Sequence, residues 1–350
     1  MKGLANEMVR VIVIEHGVDG FLRDISDPYW FQAFGCVLGF DWHSSGLTTV
    51  VTGVLKDVAT PERHGLAVAG GKGKASRGAP ADIEEASLKM RLSTSKLNEI
   101  QYASRMCAKV DTSAIQAGYP IYHHAFFVSE HGKWAVVQQG LDVKDGTARR
   151  YHWLSDHVKS FVVEPHDAIV GEMVRPRVIN MTAKEAEENR KSCVDLVKDN
   201  PNSLISSIRV LSSKPTLDRW TEMEPRLRVK QFPKYEMPSR LNWKVFSELY
   251  DVQPKNYEGM LAFRGVGPAT VRALALVSQL IYGKPASWKD PVKFSFAHGG
   301  KDGVPFPVNV KGMEATTKFI REMVESTELD KVSKIDALKR LGRVAESWGL

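Results

Sequence analysis

Residues 34–42 read FGCVLGFDW, a short apolar run that ends on an acidic and an aromatic residue. A run of this length, bounded by a turn, is predicted to be a buried strand with Asp41 at its carboxyl end. After His43, Ser44 or Ser45 can cap a helix that carries Leu47, Val50, Val51, Val54 and Leu55, and Leu66 to Ala69 then reads as a second short strand. Strand, helix, strand in that order predicts a βαβ unit, whose strand ends feed loops at one edge of the sheet. Asp41 is therefore expected close to the loop Gly70-Gly71-Lys72-Gly73-Lys74-Ala75-Ser76-Arg77.

Outward from this unit the pattern stays legible. Residues 3–16 carry Leu4, Met8, Val11, Ile12 and Ile14 at helical spacing up to Gly17, and Pro28 suits the first turn of a helix that follows Asp27. Helices are expected around 80–90 and 94–109. Tyr122–Val128 and Trp134–Gln139 flank Ser129-Glu130-His131-Gly132-Lys133 and predict a β-hairpin. Thr182 with Glu185 three residues on has the look of a capping box before a helix over 183–197. Residues 214–240 read as a basic connector, and two closing helices run from about Met313 to Trp348. The fold class expected is an α/β N-terminal domain with a mixed sheet, residues 1–175, followed by an all-α domain, residues 176–350.

Within the second domain, residues 257–282 read YEGMLAFRGVGPATVRALALVSQLIY, two apolar-faced helices joined by Gly-Val-Gly-Pro. This is a helix-hairpin-helix pattern. Gly265 and Gly267 allow a sharp turn and close approach of a ligand, and the free N–H groups at the start of the second helix can point at a phosphate. Arg264 and Arg272 add charge, and Thr270 follows the Gly-hydrophobic-Gly-Pro core. The plainer alternative is an ordinary αα-turn, in which Gly ends one helix and Pro starts the next. Many DNA-binding hairpins carry a Lys after the Pro; here Ala269 stands there, which leaves the grip to backbone amides and arginines.

The 350 residues suit two or three domains, and a net charge of +7 favours a polyanionic partner, with nucleic acid foremost. No apolar run is long enough to span a bilayer and no signal peptide is evident, so a cytoplasmic location is expected. The three cysteines, Cys36, Cys107 and Cys193, are too few and too scattered for a disulfide framework or a zinc site.

Eight of the ten histidines fall between His43 and His166, among Asp41, Asp57, Asp111, Glu130 and Glu164. Carboxylates and imidazoles at strand ends are what a divalent-metal site needs, with Mg2+ or Mn2+ suited to oxygen-rich ligands. Asp41, His43 and Asp111 are the candidate ligands. His123 and His124 must point to opposite faces of one strand, so at most one of them joins a shared site. The Gly70–Arg77 loop can hold phosphate but lacks the Walker pattern. Lys72, Lys74 and Lys96 are candidates to neutralise phosphate, with Lys109, Arg149 and Arg150 extending the cationic surface.

Long stretches, among them FGCVLGFDWHSSGLTTVVTG, VAGGKGKAS, ASRMCAKVD, YHHAFF, WAVVQQG, ARRYHWLS, FRGVGPATVRALALVSQLIYG and FAHGGKDGVPFPV, resemble the prokaryotic domain-of-unknown-function family numbered seven hundred sixty-three. The resemblance covers the chain from about residue 20. It implies DNA processing and a metal-dependent DNA nuclease of repair or recombination. Members usually begin with an additional His-Gly-Gly segment that this chain lacks or starts after. Two rivals stand beside the nuclease. One is a helix-hairpin-helix DNA glycosylase, with Asp290 some two dozen residues after the hairpin; the other is a DNA-binding accessory protein without turnover. A nuclease that addresses two strands is expected to work as a homodimer.

Overall fold

The computed structural model describes residues 1–40, 46–212, 236–294 and 310–347. The chain opens with helices α1 (Lys2–Ser26), α2 (Pro28–Val37), α3 (Leu47–Val58) and the single turn α4 (Pro61–His64), then strand β1 (Leu66–Lys72). A 3-10 turn over Gly73–Gly78 leads into α5 (Ala79–Lys89) and α6 (Thr94–Ser113). Strands β2 (Ile115–Gln116), β3 (Ile121–Ser129), β4 (Trp134–Asp142), β5 (Thr147–Leu154), β6 (Ala168–Gly171) and β7 (Ile179–Asn180) follow. Among the described residues the α-helices that follow are α7 (Glu187–Lys198), α8 (Pro201–Ser212), α9 (Lys244–Val252), α10 (Tyr257–Ala262), α11 (Pro268–Leu280), α12 (Val310–Ser326) and α13 (Lys331–Ser347).

Five strands form one sheet in the order β1-β3-β4-β5-β6, and β2 pairs with β7. All five ladders are antiparallel; the parallel pairing among the described residues is the isolated bridge Val170–Phe294. Helices cover both faces. Strand alternation sends Ala125, Phe127, Ala135 and Val137 into a core with α1, α2, α3, α12 and α13. It sends Phe126, Val128, Val136, Tyr151 and Trp153 into a second core with α5, α6, α7, α8, α9, α10 and α11. The boundary expected at 175/176 thus falls within both cores, each of which draws helices from either side of it.

Two sequence expectations are corrected here. Residues 34–37 are helical, not strand, and 38–40 form the turn after α2; Asp41 and Trp42 lie outside the described residues. Asp27 caps α2 by accepting from the amides of Tyr29 and Trp30, both at 2.8 Å, and Pro28 takes the first position. Every residue from Trp30 to Val37 is buried and all but Gln32 are apolar or glycine, so the last turn of the helix reads like a core strand. Without a first strand no βαβ unit forms, and the ladders are antiparallel. The expected capping box is also absent: Thr182 bonds Asn180, Glu185 accepts from Ser287 at 2.9 Å, and α7 begins at Glu187 after a short 3-10 turn.

Gly17, at φ 72° and ψ 169°, is not helical, so α1 is two helical segments joined by a kink and the first ends there, as the sequence implies. The hairpin expected at 122–139 is the centre of the sheet, β3 paired with β4. Among the described helices none is long and apolar enough to cross a membrane.

Candidate functional site

His123 and His124 lie side by side in β3 and, as period-two alternation requires, face opposite sides of the sheet. His124 meets α6. Its Nε2 is 2.9 Å from Ser104 Oγ and its Nδ1 is 2.8 Å from Gln138 Oε1. An amide oxygen only accepts, so Nδ1 carries the proton and Nε2 receives the Ser104 hydroxyl. Gln138 Nε2 donates onward to Asp111 and, at 3.1 Å, to the Cys107 carbonyl. Asp111 also accepts from Trp153 Nε1 at 3.0 Å and pairs with His166 Nε2. Ser104, His124, Gln138, Asp111 and Trp153 are all buried. Burial holds the His124 imidazole below its ordinary pKa, partly opposed by Gln138 and Asp111.

His123 meets α3 on the other face. Thr52 gives its hydroxyl proton to the Thr48 carbonyl at 2.8 Å, so it accepts from His123 Nε2, also at 2.8 Å. The proton therefore sits on Nε2, and Nδ1 keeps a bare lone pair with no hydrogen-bond partner. His123 is 1% exposed, and burial first, then His124 and Lys72, lowers its pKa to about 4. Across the strands the register runs Lys72–His123–Gln139–Arg150. A register shift between Ile121 and His123 makes Tyr122 a bulge residue, and its hydroxyl accepts from Gln139 at 2.8 Å. Thr52 of α3 meets His123 while Lys56 meets Gly70, so α3 runs antiparallel to β1, and its start lies at the end of the sheet where β1 leaves it.

At that end the glycine-lysine loop is a fixed turn. Gly70 has φ of 86°, and a Cβ there would stand 2.2 Å from the His124 carbonyl oxygen, so no other residue fits. Asp82 of α5 accepts from the Gly70 amide at 2.8 Å and from Lys56 at 2.6 Å, and Lys56 also holds the Gly70 carbonyl. Lys72, Lys74 and Arg77 project from the turn, exposed, with no carboxylate partner among the described residues.

The second exposed feature is the loop Phe263–Gly267 between α10 and α11. Gly265 has φ of 95°, and Val245 stands 2.7 Å from where its Cβ would be. Gly267 is extended, at φ −137°, and its side-chain position opens into free space. No side chain caps α11, whose first bond runs from Val271 N to Gly267 O at 3.0 Å, so the amides of Ala269 and Thr270 precede the helical ladder. Lys109 of α6 donates to the Phe263 carbonyl at 3.3 Å and Gln116 of β2 to that of Pro268 at 2.8 Å, which fixes the loop on α6 and β2. Arg264 is exposed; Arg272 is half-buried and donates to the Glu236 carbonyl at 2.7 Å. Thr270 is buried, so its side chain is withdrawn from the surface.

The residues expected to form one site are thus divided. Asp41 and His43 lie outside the described residues. Lys72, Lys74 and His123 share the open sheet end; Asp111 and His124 lie beneath the opposite face. Lys96 is remote from both: it pairs with Glu99 at 2.7 Å and packs on Gly132 in the β3–β4 turn, at the other end of the strands. Arg149 and Arg150 are 0% and 1% exposed and add nothing to a cationic surface. Arg149 makes two bonds to Asp290, at 2.8 and 2.7 Å, and stacks on Tyr119 at 4.5 Å. Arg150 bonds His152 at 2.8 Å and Gln32 at 3.0 Å and lies over Phe31. Asp290, whose carboxylate has no exposure, is thereby withdrawn from a glycosylase role. Sequence reading missed Thr52 and Ser104, which have no motif, and gave Tyr122, Gln138 and Gln139 no site role; for the two glutamines, their place opposite His124 and His123 in the hairpin is the one signal.

Asp111 does not suit a metal, because its two oxygens serve Gln138, Trp153 and His166. His123 Nδ1 does, as a single donor. No group of three or more His, Cys, Asp or Glu able to hold a metal occurs among the described residues.

An antiparallel five-stranded sheet with helices on both faces, one open cationic end and an exposed glycine loop between two helices defines the architecture. The profile of the family described as "Protein of unknown function (DUF763)" matches residues 1–308, and the chain belongs to that family. The match begins at residue 1, earlier than the quoted motifs. No curated protein and no solved structure matches the chain.

Proposed function

We propose that the chain grips the DNA backbone through a helix-hairpin-helix formed by α10 and α11, and that it is a metal-dependent DNA nuclease of repair or recombination. The observation that carries this reading is Gly267. Its backbone angles suit any residue and its side-chain position is empty, so the fold itself has no need of glycine there. A phosphate that comes close to the uncapped amides of Ala269 and Thr270 does need it. Phosphodiester chemistry is assigned to the open sheet end, where Lys72, Lys74 and Arg77 neutralise phosphate and His123 stands behind them with a lone pair at Nδ1. A divalent cation bound there supplies further charge neutralisation and an activated water. Asp41 and His43 are the remaining proposed ligands.

The complete reading is tested with Gly267→Ala and Lys72→Ala/Lys74→Ala on a labelled DNA duplex with Mg2+ or Mn2+. Gly267→Ala should cost less than about 1 kcal/mol of stability, the ordinary cost of Ala at an N-cap, yet weaken DNA binding at least tenfold. The lysine pair should lose cleavage while retaining much of the binding. Unchanged affinity in Gly267→Ala removes the hairpin from the reading. The engagement of Asp111 favours a second reading, a DNA-binding accessory protein, which tight binding without turnover in either metal would establish.

A further inference from the structure

The open sheet end and the glycine loop both rest on α6. Gln101 Nε2 reaches the Pro80 carbonyl at 2.9 Å, just past the glycine-lysine turn. Its neighbour Tyr102 donates to Glu258 of α10 at 2.8 Å, and Lys109 holds the Phe263 carbonyl beside Arg264. At about 100° per residue, Gln101 taken as 0° places Arg105 near 40°, Lys109 near 80° and Tyr102 near 100° around the helix. Arg105 therefore lies between the side chain that meets one feature and those that meet the other. It is exposed and has no carboxylate partner among the described residues. Its charge also acts on the Tyr102 phenol.

We infer that Arg105 joins Lys74 and Arg77 of the turn to Lys109 of α6 itself and Arg264 of the loop in one cationic track along α6, and that a DNA backbone lies on it. Gln101 to Lys109 spans about 12 Å at 1.5 Å per residue, the axial rise of three or four nucleotides at about 3.4 Å each. The track gives the hairpin a direction: the strand it holds is led towards the glycine-lysine turn. Lys96 belongs to the same helix but falls near 220° on this count, on the side turned to the β3–β4 turn, and is the internal control.

The inference rests on the DNA-binding reading, and one experiment separates the two. Affinity for a short labelled DNA duplex is measured between about 50 and 200 mM salt, where each phosphate contact contributes close to 0.9 to the slope of log K against log salt. Arg105→Ala should reduce that slope by about 1 and weaken binding several-fold, Arg105→Lys should restore it, and Lys96→Ala should match the wild type. A thermal melt unchanged in Arg105→Ala excludes loss of fold. If Arg264→Ala lowers the slope while Arg105→Ala does not, the track is wrong and the hairpin grip stands. If the wild type shows no salt-dependent binding, both fall.

Discussion

His123 and His124 are adjacent in one strand, yet the two faces of the sheet give them different chemistry. On the α6 side every donor meets an acceptor, from Ser104 through His124 and Gln138 to Asp111, Trp153 and His166. On the α3 side the row begins at exposed Lys72, and His123 keeps an unbonded Nδ1. A closed network specifies and stabilises the fold, because a buried polar group without a partner is costly. An open one holds a group in reserve. Titratable residues of similar burial thus differ in whether their last lone pair meets a partner.

The largest expected effect falls on the closed side. Asp111→Ala strands three donors at once and should cost about 3–5 kcal/mol, at about 1–3 kcal/mol for each buried donor left without a partner. Urea unfolding of the purified variant measures it. A loss below about 1 kcal/mol would mean that solvent reaches the network and that Asp111 is available for chemistry after all.

The next effect belongs to the open side and depends on pH. Burial holds His123 neutral, with its pKa lowered to about 4, whereas in the unfolded chain it titrates near 6.5. Between those values the unfolded chain binds the extra proton. His123 therefore contributes stability above about pH 6.5 that is lost as pH falls towards 4. Relative to His123→Gln, the wild type should lose up to about 3 kcal/mol across that window at 1.36 kcal/mol per unit. Parallel curves of urea midpoint against pH for the two proteins would show that water solvates the imidazole.

A third contrast sets two glycines against each other. Gly70→Ala puts a methyl against the His124 carbonyl at a positive φ and should cost about 1–3 kcal/mol, whereas Gly267→Ala meets nothing. The pair sharpens the division between backbone that the fold demands and backbone kept bare for a ligand. Thermal denaturation of both, in parallel with DNA binding, reads it: Gly70→Ala should fail in stability, Gly267→Ala in binding.

Local signals carried the parts of this molecule that sequence could reveal. The β3–β4 hairpin, the opposite facing of the two histidines and the helices around Gly265–Pro268 depend on neighbours a few residues apart. Residues 34–42 misled because a fully buried helix and a buried strand share one apolar texture. Strand β5, TARRYHWL, escaped recognition since both of its faces carry buried polar groups. What permits them is distant in sequence: Asp290 for Arg149, Gln32 for Arg150. Asp111 stood out as a carboxylate, but its partners Gln138, Trp153 and His166 meet it only through the fold, so the network that engages it was not legible.

The smallest effect is also the most direct test of the contrast. The hydrogen bonds assign opposite tautomers to neighbouring rings: the proton on Nε2 in His123, where Thr52 accepts, and on Nδ1 in His124, where Gln138 accepts. Nitrogen-15 shifts of the imidazoles report which atom is protonated. Thr52→Val keeps the shape of the side chain and removes the acceptor of His123, at a cost of about 1 kcal/mol, the net worth of one hydrogen bond. The His123 proton then has no reason to stay on Nε2, and its two nitrogen shifts should converge towards those of an exchanging ring. The His124 shifts should not move, because nothing on its face has changed. If both rings respond together, the sheet does not insulate its two faces, and the closed and open rows are one coupled site.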